Sequence, residues 1–488
     1  SAMAAARRPP PVYVLNHYLL VGNSHAGKGG EGWAEPNVHV GNGNLTGKAG
    51  EGWTKIEIAR REAYGCGGNM RRALNGLNLC VRLGDDDPLV VTSTLGIRIS
   101  SDARKRFNSE LGLDAFVDEE EEMLVTAYIM MQEQGLLIIV LLLERDLRNL
   151  SCYLVYDHSD ASLSMVSWVP ESLEVIGMFR PVPKRTSDGT YELFLLACEC
   201  DDDRLPLASD TDPSPLLCVF SPVTGTNPTC AWEMRRTLRW NVPVSVFERF
   251  RTDATFSFQG KGFWADLSQA LIYCNLPTVS DDSAVDFDFI ELPGECQLDL
   301  EETLDGPLPM EVTRTIACVG NSIWFVCIRR YEDPADDLVM MWTLELSGGH
   351  WKNWARFAVR ELWRFDGFKE ALLPEAKVGY PVITADGALC LVVAGKVSRY
   401  SYSDVSSVDH ICTFDVRNKT LLWHGSVHDH IFTQTVAFPP DFFVQRKHGS
   451  HKRKFYNLRS AAGPGFADCS NGPIKGQGVS AYAWKNSR

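Results

Sequence analysis

The chain has 488 residues, of which 45% are hydrophobic and 23% charged, and its formal net charge is −14. This composition excludes whole-chain disorder, and the negative balance argues against nucleic acid and anionic membrane surfaces as partners. The longest apolar run, Leu136 to Leu143, is far shorter than the roughly twenty residues of a membrane-spanning helix, so no membrane partner is expected.

Fourteen cysteines are scattered along the chain and none has the C-x-x-C spacing of zinc ribbons or thioredoxin-like motifs. Most sit inside apolar runs, as in Leu271-Ile-Tyr-Cys274 and Leu389-Cys390-Leu391, where a free thiol packs as a small hydrophobe. The expected compartment is reducing, the cytosol or the nucleus.

Residues 1–75 are Gly-rich and hold a short duplication, Gly27-Lys-Gly-Gly-Glu-Gly-Trp33 and Gly47-Lys-Ala-Gly-Glu-Gly-Trp53. They read as an insertion flanked by strands over 12–21 and 53–58, and residues 22–52 as a loop with too little apolar surface to offset its ordering entropy. From residue 76 short apolar or β-branched runs alternate with turn clusters, which predicts an all-β chain. Predicted strands include Leu77–Leu83, Leu89–Ile99, Leu124–Met131, Leu136–Leu143, Ser151–Tyr156, Glu192–Cys200, Leu216–Phe220, Ala254–Phe258, Ala270–Cys274, Phe287–Leu292, Thr315–Val319, Ile323–Ile328, Met340–Leu346, Ala388–Val393 and His410–Val416. Helical periodicity is scarce; the best candidates are Arg356–Leu373, broken by Gly367, and a turn near Ala103–Leu111.

A glycine precedes a strong strand at Gly135, Gly189, Gly260, Gly320 and Gly387, and another unit opens near Leu77. Six such units point to a β-propeller-like fold of six blades over 76–443, with five or seven left open by the uneven spacing and paired sandwiches as the competitor. The amino-terminal strand could close the ring. The carboxyl end, 444–488, holds nine basic residues and one acidic one, and reads as a separate flexible tail.

The segment Phe258-Gln-Gly-Lys-Gly-Phe-Trp264-Ala-Asp266 through Cys274, followed by Phe289-Ile-Glu-Leu-Pro293, resembles the signature of a plant family of domains of unknown function, the one numbered sixteen-eighteen and expanded in grasses. Leu154-Val-Tyr-Asp157 with Ser162–Met165, and Arg314–Val326 with Trp342 and Trp351, fit the same pattern. The family is similar to propeller-like modules appended to F-box proteins, so the resemblance implies a protein-binding scaffold. No helical F-box with its Leu-Pro start is present in this sequence.

Gly22-Asn-Ser-His-Ala-Gly27-Lys28 approaches a P-loop, but Gly29 stands where magnesium needs Ser or Thr, and the following glycines disfavour the helix that would face phosphate. The same stretch echoes a nucleophile elbow only weakly. No cofactor is expected. His424, His428 and His430 are the sole metal candidates, and a solvated hairpin end is the preferred reading. Acidic runs at Asp85–Asp87, Asp118–Glu122, Asp201–Asp203 and Asp281-Asp282 lack calcium-loop spacing and read as solvated loops. Trp324, Trp351, Trp354 and Trp363 are the candidate binding residues, either packed between blades or forming an aromatic wall for a partner. Lys447, Lys452, Arg453 and Lys454 form the basic core of the tail, a nuclear-localisation or RNA-touching segment or, the preferred reading, a polar tail that screens the acidic body.

Together these readings predict a non-catalytic module that binds other proteins of unknown identity. The alternative is an enzyme or small-ligand binder using an axial pocket of the propeller.

Overall fold

The computed structural model describes residues 12–14, 19–24, 53–82, 94–111, 123–145, 148–170, 173–175, 180–199, 215–222, 230–247, 250–277, 284–298, 310–394, 409–427, 436–438 and 442–443. Six strands come first: β1 (Val12–Val14), β2 (Leu20–Ser24), β3 (Trp53–Lys55), β4 (Arg60–Tyr64), β5 (Leu77–Arg82) and β6 (Thr94–Ser100). Sets of consecutive strands follow. The first is β7 (Leu124–Glu133), β8 (Leu136–Arg145), β9 (Arg148–Asp157) and β10 (Ser162–Ser167). The next has β11 (Leu173–Val175) and β12 (Val182–Arg185) as two pieces of one edge, then β13 (Tyr191–Glu199), β14 (Pro215–Phe220) and β15 (Trp232–Trp240). Then come β16 (Ala254–Phe258), β17 (Lys261–Asp266), β18 (Ala270–Asn275) and β19 (Val285–Glu291). After them lie β20 (Arg314–Val319), β21 (Ser322–Arg329), β22 (Leu338–Glu345) and β23 (His350–Ala358). The last set is β24 (Lys377–Ile383), β25 (Leu389–Ala394), β26 (Asp409–Asp415) and β27 (Thr420–Val427), and β28 (Val436–Phe438) ends the series.

Within each set, chain neighbours are antiparallel sheet neighbours. The early strands are sewn into later ones: β2 runs parallel to β6, β3 antiparallel to β5, and β4 parallel to β10. A parallel pairing of β15 with β19 joins two sets into one nine-stranded sheet. The amino-terminal strand β1 pairs with β28, so the first and last described strands meet. The chain is therefore all-β and propeller-like.

Apolar layers fill the spaces between successive sheets, and strand periodicity decides which layer each residue enters. On β8, Leu137, Ile139, Leu141 and Leu143 pack toward Leu79 and Ile97, while Leu136, Ile138 and Val140 pack toward Leu195 and Phe220. Both faces are buried, which is why this strand reads as one continuous apolar run. Further layers join Phe194 and Leu217 to Trp264 and Phe287, Phe263 and Leu271 to Phe325 and Met340, and Val326 and Met341 to Leu391 and Phe414. Each fully buried side chain of this kind contributes roughly 1.5–3 kcal/mol.

The glycines that marked the sequence repeat are hairpin residues. Gln134-Gly135 (φ 51° and 76°) and Gln259-Gly260 (φ 50° and 76°) are matching two-residue turns with both residues left-handed, between the first and second strands of their sets. That geometry matches strand twist and needs glycine at its second position. Thr186-Ser-Asp188-Gly189 and Thr384-Ala-Asp386-Gly387 form the second turn type, with the Thr hydroxyl donating to the Asp carboxylate at 2.5 Å in both. In three sets the third and fourth strands are linked by four-residue turns whose last residue is left-handed: Ala161 (φ 54°), Gly349 (φ 61°) and Lys419 (φ 54°).

Two sequence expectations are corrected. Within Arg356–Leu373, read as helix broken by Gly367, helix is confined to Val359–Leu362, and Arg356 to Ala358 complete β23. Val12 to Val21 is not one strand, since β1 ends at Val14 and β2 begins at Leu20. The helical stretch near Ala103 is a helix over Ser101–Glu110, capped by Ser100, whose hydroxyl accepts from the Ala103 amide at 3.1 Å. The segments 25–52 and 444–488 lie outside the described residues, as do the acidic runs at 85–87, 118–122, 201–203 and 281–282.

Candidate functional site

The first strands of adjacent sets approach one another without sheet pairing, and side chains tie them together. The Thr255 hydroxyl on β16 donates to the Pro181 carbonyl beside β12 at 2.9 Å. The Gln134 amide after β7 donates to the Ser257 hydroxyl at 2.7 Å, and its carbonyl oxygen accepts from the Arg185 amide at 2.9 Å. Strand β20 lies against both β16 and β24.

These inner strands are irregular where they converge. A bulge in β7 leaves Met130 out of register between Ile129 and Met131, and its carbonyl accepts from Arg180 at 3.3 Å. Arg180 itself sits in the interruption between β11 and β12. Strand β24 is bulged between Gly379 and Val382, with Tyr380 at φ 51°.

Arg180 and Asp253 are both buried. Burial pushes the Arg180 guanidinium below its ordinary range, opposed by the charges of Glu311 and Asp253. Burial pushes Asp253 up to about 7, reinforced by the charges of Asp266 and Glu311 and opposed by the Leu267 amide, which donates to its Oδ2 at 2.9 Å. A carboxyl titrating near neutral pH can take up or release one proton. Asp266 ends β17 and accepts from the Arg251 and Ser268 amides at 2.9 and 2.8 Å. The sequence reading missed Arg180, Asp253 and Glu311. Their signal was positional: Asp253 stands one residue before a first strand, Arg180 two and Glu311 three.

The four candidate tryptophans are all half-buried, and the structure brings two of them together. Trp324 on β21 and Trp354 on β23 have ring centroids 4.7 Å apart, at the layer between the β20–β23 and β24–β27 sheets. A bulge in β23 makes this contact: Asn353 faces Trp342 and Ala355 faces Met341, so Trp354 is the extra residue. The Arg417 guanidinium, on the exposed turn after β26, lies 5.9 Å from the Trp354 ring centre. Trp351 packs on the opposite face near Phe325 and donates its indole N–H to the Glu291 carbonyl at 2.8 Å. Trp363 lies past the Val359–Leu362 helix, in the same layer as Trp324.

His424 is half-buried on β27, opposite Cys412, while His428, His430, Lys447, Lys452, Arg453 and Lys454 lie outside the described residues. Among the described residues, no three His, Cys, Asp or Glu side chains are grouped as metal ligands would be, and no helix is long and apolar enough to cross a membrane.

A search among curated proteins finds no match. Among solved structures the chain is similar to the β-propeller domain of the Trilobed protease from Pyrococcus furiosus, at 8% identity and a TM-score of 0.30, over 63% of this chain and 72% of that one. It is also similar to a hypothetical selenium-binding protein from Sulfolobus tokodaii, at 10% identity, 74% of each chain and a TM-score of 0.31. A third is an exo-β-1,3-galactanase from Clostridium thermocellum, at 11% identity, 64% of this chain, 62% of that one and a TM-score of 0.28. The model of the family described as "Protein of unknown function (DUF1618)" matches residues 264–390, from β17 into β25.

Proposed function

We infer that the chain is a six-bladed, propeller-like module that binds another protein and performs no chemistry of its own, in the cytosol or nucleus of a plant cell. The blade count takes β3-β5-β6-β2 as one blade and the following sets as five more. The observation that carries the binding role is the Trp324–Trp354 pair with Arg417 beside it. Aromatic rings and arginine dominate the energetics of protein interfaces, and here they lie at a sheet-to-sheet seam with the arginine exposed. Trp351 and Trp363 support this seam from the opposite face and from beyond the end of β23. Nine of the described cysteines are buried, packing as small hydrophobes, in keeping with a reducing compartment.

The coupled charges ahead of β12, β16 and β20 favour a second reading, a small-ligand binder, in which Arg180, Asp253 and Glu311 receive the ligand. Affinity capture with the full chain from native extract, run beside a thermal-shift screen of charged metabolites, separates the two. A stable protein partner without a metabolite shift supports the interaction module. A metabolite shift that Asp253→Asn abolishes supports the ligand binder.

A further inference from the structure

The stretch from β3 to the helix after β6 reverses the charge balance of the chain. Residues 53–82 and 94–111 hold ten Lys or Arg and four Asp or Glu, whereas the whole chain carries −14. Two helices gather much of this excess: Gly68–Ala73, with Arg71 and Arg72, and Ser101–Glu110, with Arg104, Lys105 and Arg106. Met70, Ala73, Ala103 and Phe107 turn into the apolar layer, and Arg71, Arg72 and Lys105 are exposed. The helices run antiparallel. Asn69 donates to the Ser109 hydroxyl at 3.2 Å, Gly67 stands against the Glu110 carboxylate, and Gly76 stands against Ser100 and Ala103. That register sets Arg71 and Arg72 level with Lys105 and Arg106. The helices hold two acids. Asp102 pairs with Arg106 one turn on, at 3.0 Å, and Glu110 occupies the start of the first helix. Among the described residues, no acid forms an ion pair with Arg71, Arg72 or Lys105.

We propose that this basic helix pair docks an acidic segment of a partner protein, on a surface made of other residues than the Trp324–Trp354–Arg417 seam. Charge complementarity carries the choice of partner. A ten-residue helix is about 15 Å long, the span of about five extended residues, so a short run of carboxylates matches the patch in length. Arg71 and Arg72 can each take a carboxylate through two parallel N–H groups, and Lys105 adds a point charge. A nucleic-acid strand fits less well. It is a long polyanion, and the acidic excess of the chain lies outside these two segments, where it repels phosphate. The pairs formed are exposed to solvent, so salt weakens the complex.

The test is fluorescence anisotropy of a labelled pentaglutamate peptide titrated with the full chain. The expected result is saturable binding at about 50 mM salt that weakens as salt rises. A chain carrying Arg72→Glu and Lys105→Glu should bind at least about tenfold more weakly. A chain carrying Lys369→Glu and Lys377→Glu, two exposed residues of other segments, has the same net charge and should stay within about twofold of wild type. Circular dichroism establishes that both variants are folded, and the salt series on the wild-type chain does not depend on either. Equal weakening in the two variants would overturn the proposal, because net charge alone would then attract the peptide. Tighter binding of an oligothymidylate of the same charge would overturn it in favour of nucleic acid. Peptide binding that appears only after Asp118 to Glu122 are neutralised would overturn it in favour of the chain's own acidic run, and no binding by any of these chains would end it.

Discussion

Arg185 forks onto Asp157 across two sheets, its Nη1 and Nη2 donating to Oδ2 and Oδ1 at 2.5 and 2.7 Å. Asp157 ends β9 and Arg185 ends β12, so the pair couples one inner strand to the third strand of the preceding set. Burial alone would raise the Asp157 pKa, but the Arg185 fork and the Ser159 hydroxyl and amide outweigh it and hold the carboxyl below its ordinary range. Arg185→Ala leaves a nearly buried carboxylate without its cation. We expect a loss of about 2–4 kcal/mol in urea unfolding. The contribution is present at neutral pH and is lost as pH falls through the lowered pKa. A loss under 0.5 kcal/mol would show that the fork is incidental.

Gly260 occupies φ +76° with nothing within 4 Å of where a Cβ would stand. Gly294 has the same open space without a left-handed φ. Gly260→Ala should therefore cost about 1 kcal/mol through backbone conformation alone, and Gly294→Ala should change stability by less than about 0.5 kcal/mol. Equal effects would remove the conformational explanation of the glycine repeat.

Asp253, pushed up to about 7, gives a pH signature. The folded state keeps this proton to near neutrality, whereas the unfolded chain releases it near pH 4. Between those values the folded state binds more protons, so stability falls as pH rises, by up to about 1.4 kcal/mol per pH unit. Glu133, pushed up to about 8 by removal from water, acts in the same direction. Denaturant unfolding from pH 4.5 to 7.5 should show this decline, with a shallower slope in Asp253→Asn. An unchanged slope in that variant would remove Asp253 from the account.

Much of the fold was legible because burial on both faces leaves long apolar runs such as Leu136–Leu143, and because left-handed hairpin positions select glycine at 135, 260 and 387. Strand β15 was missed for the opposite reason. Its sequence, Trp232-Glu-Met-Arg-Arg-Thr-Leu-Arg-Trp240, is an outer strand with Met234 and Leu238 exposed, so it shows no apolar run. The end of β23, Arg356 to Ala358, was read into a helix candidate because the Val359–Leu362 helix follows it without a break. The candidate site was legible in part. Tryptophan clustering pointed to the Trp324–Trp354 seam, but Arg417 and the coupled charges of Arg180, Asp253 and Glu311 depend on interactions between residues tens of positions apart.

The central claim is that the seam around Trp324, Trp354 and Arg417 binds a protein. It is tested most directly by measuring the affinity of the captured partner for the wild-type chain and for Arg417→Glu, a change on an exposed turn that should leave the fold intact by circular dichroism. We expect at least a tenfold rise in Kd, about 1.4 kcal/mol, with Tm within a few degrees of wild type. A partner that binds both chains with equal affinity would contradict it.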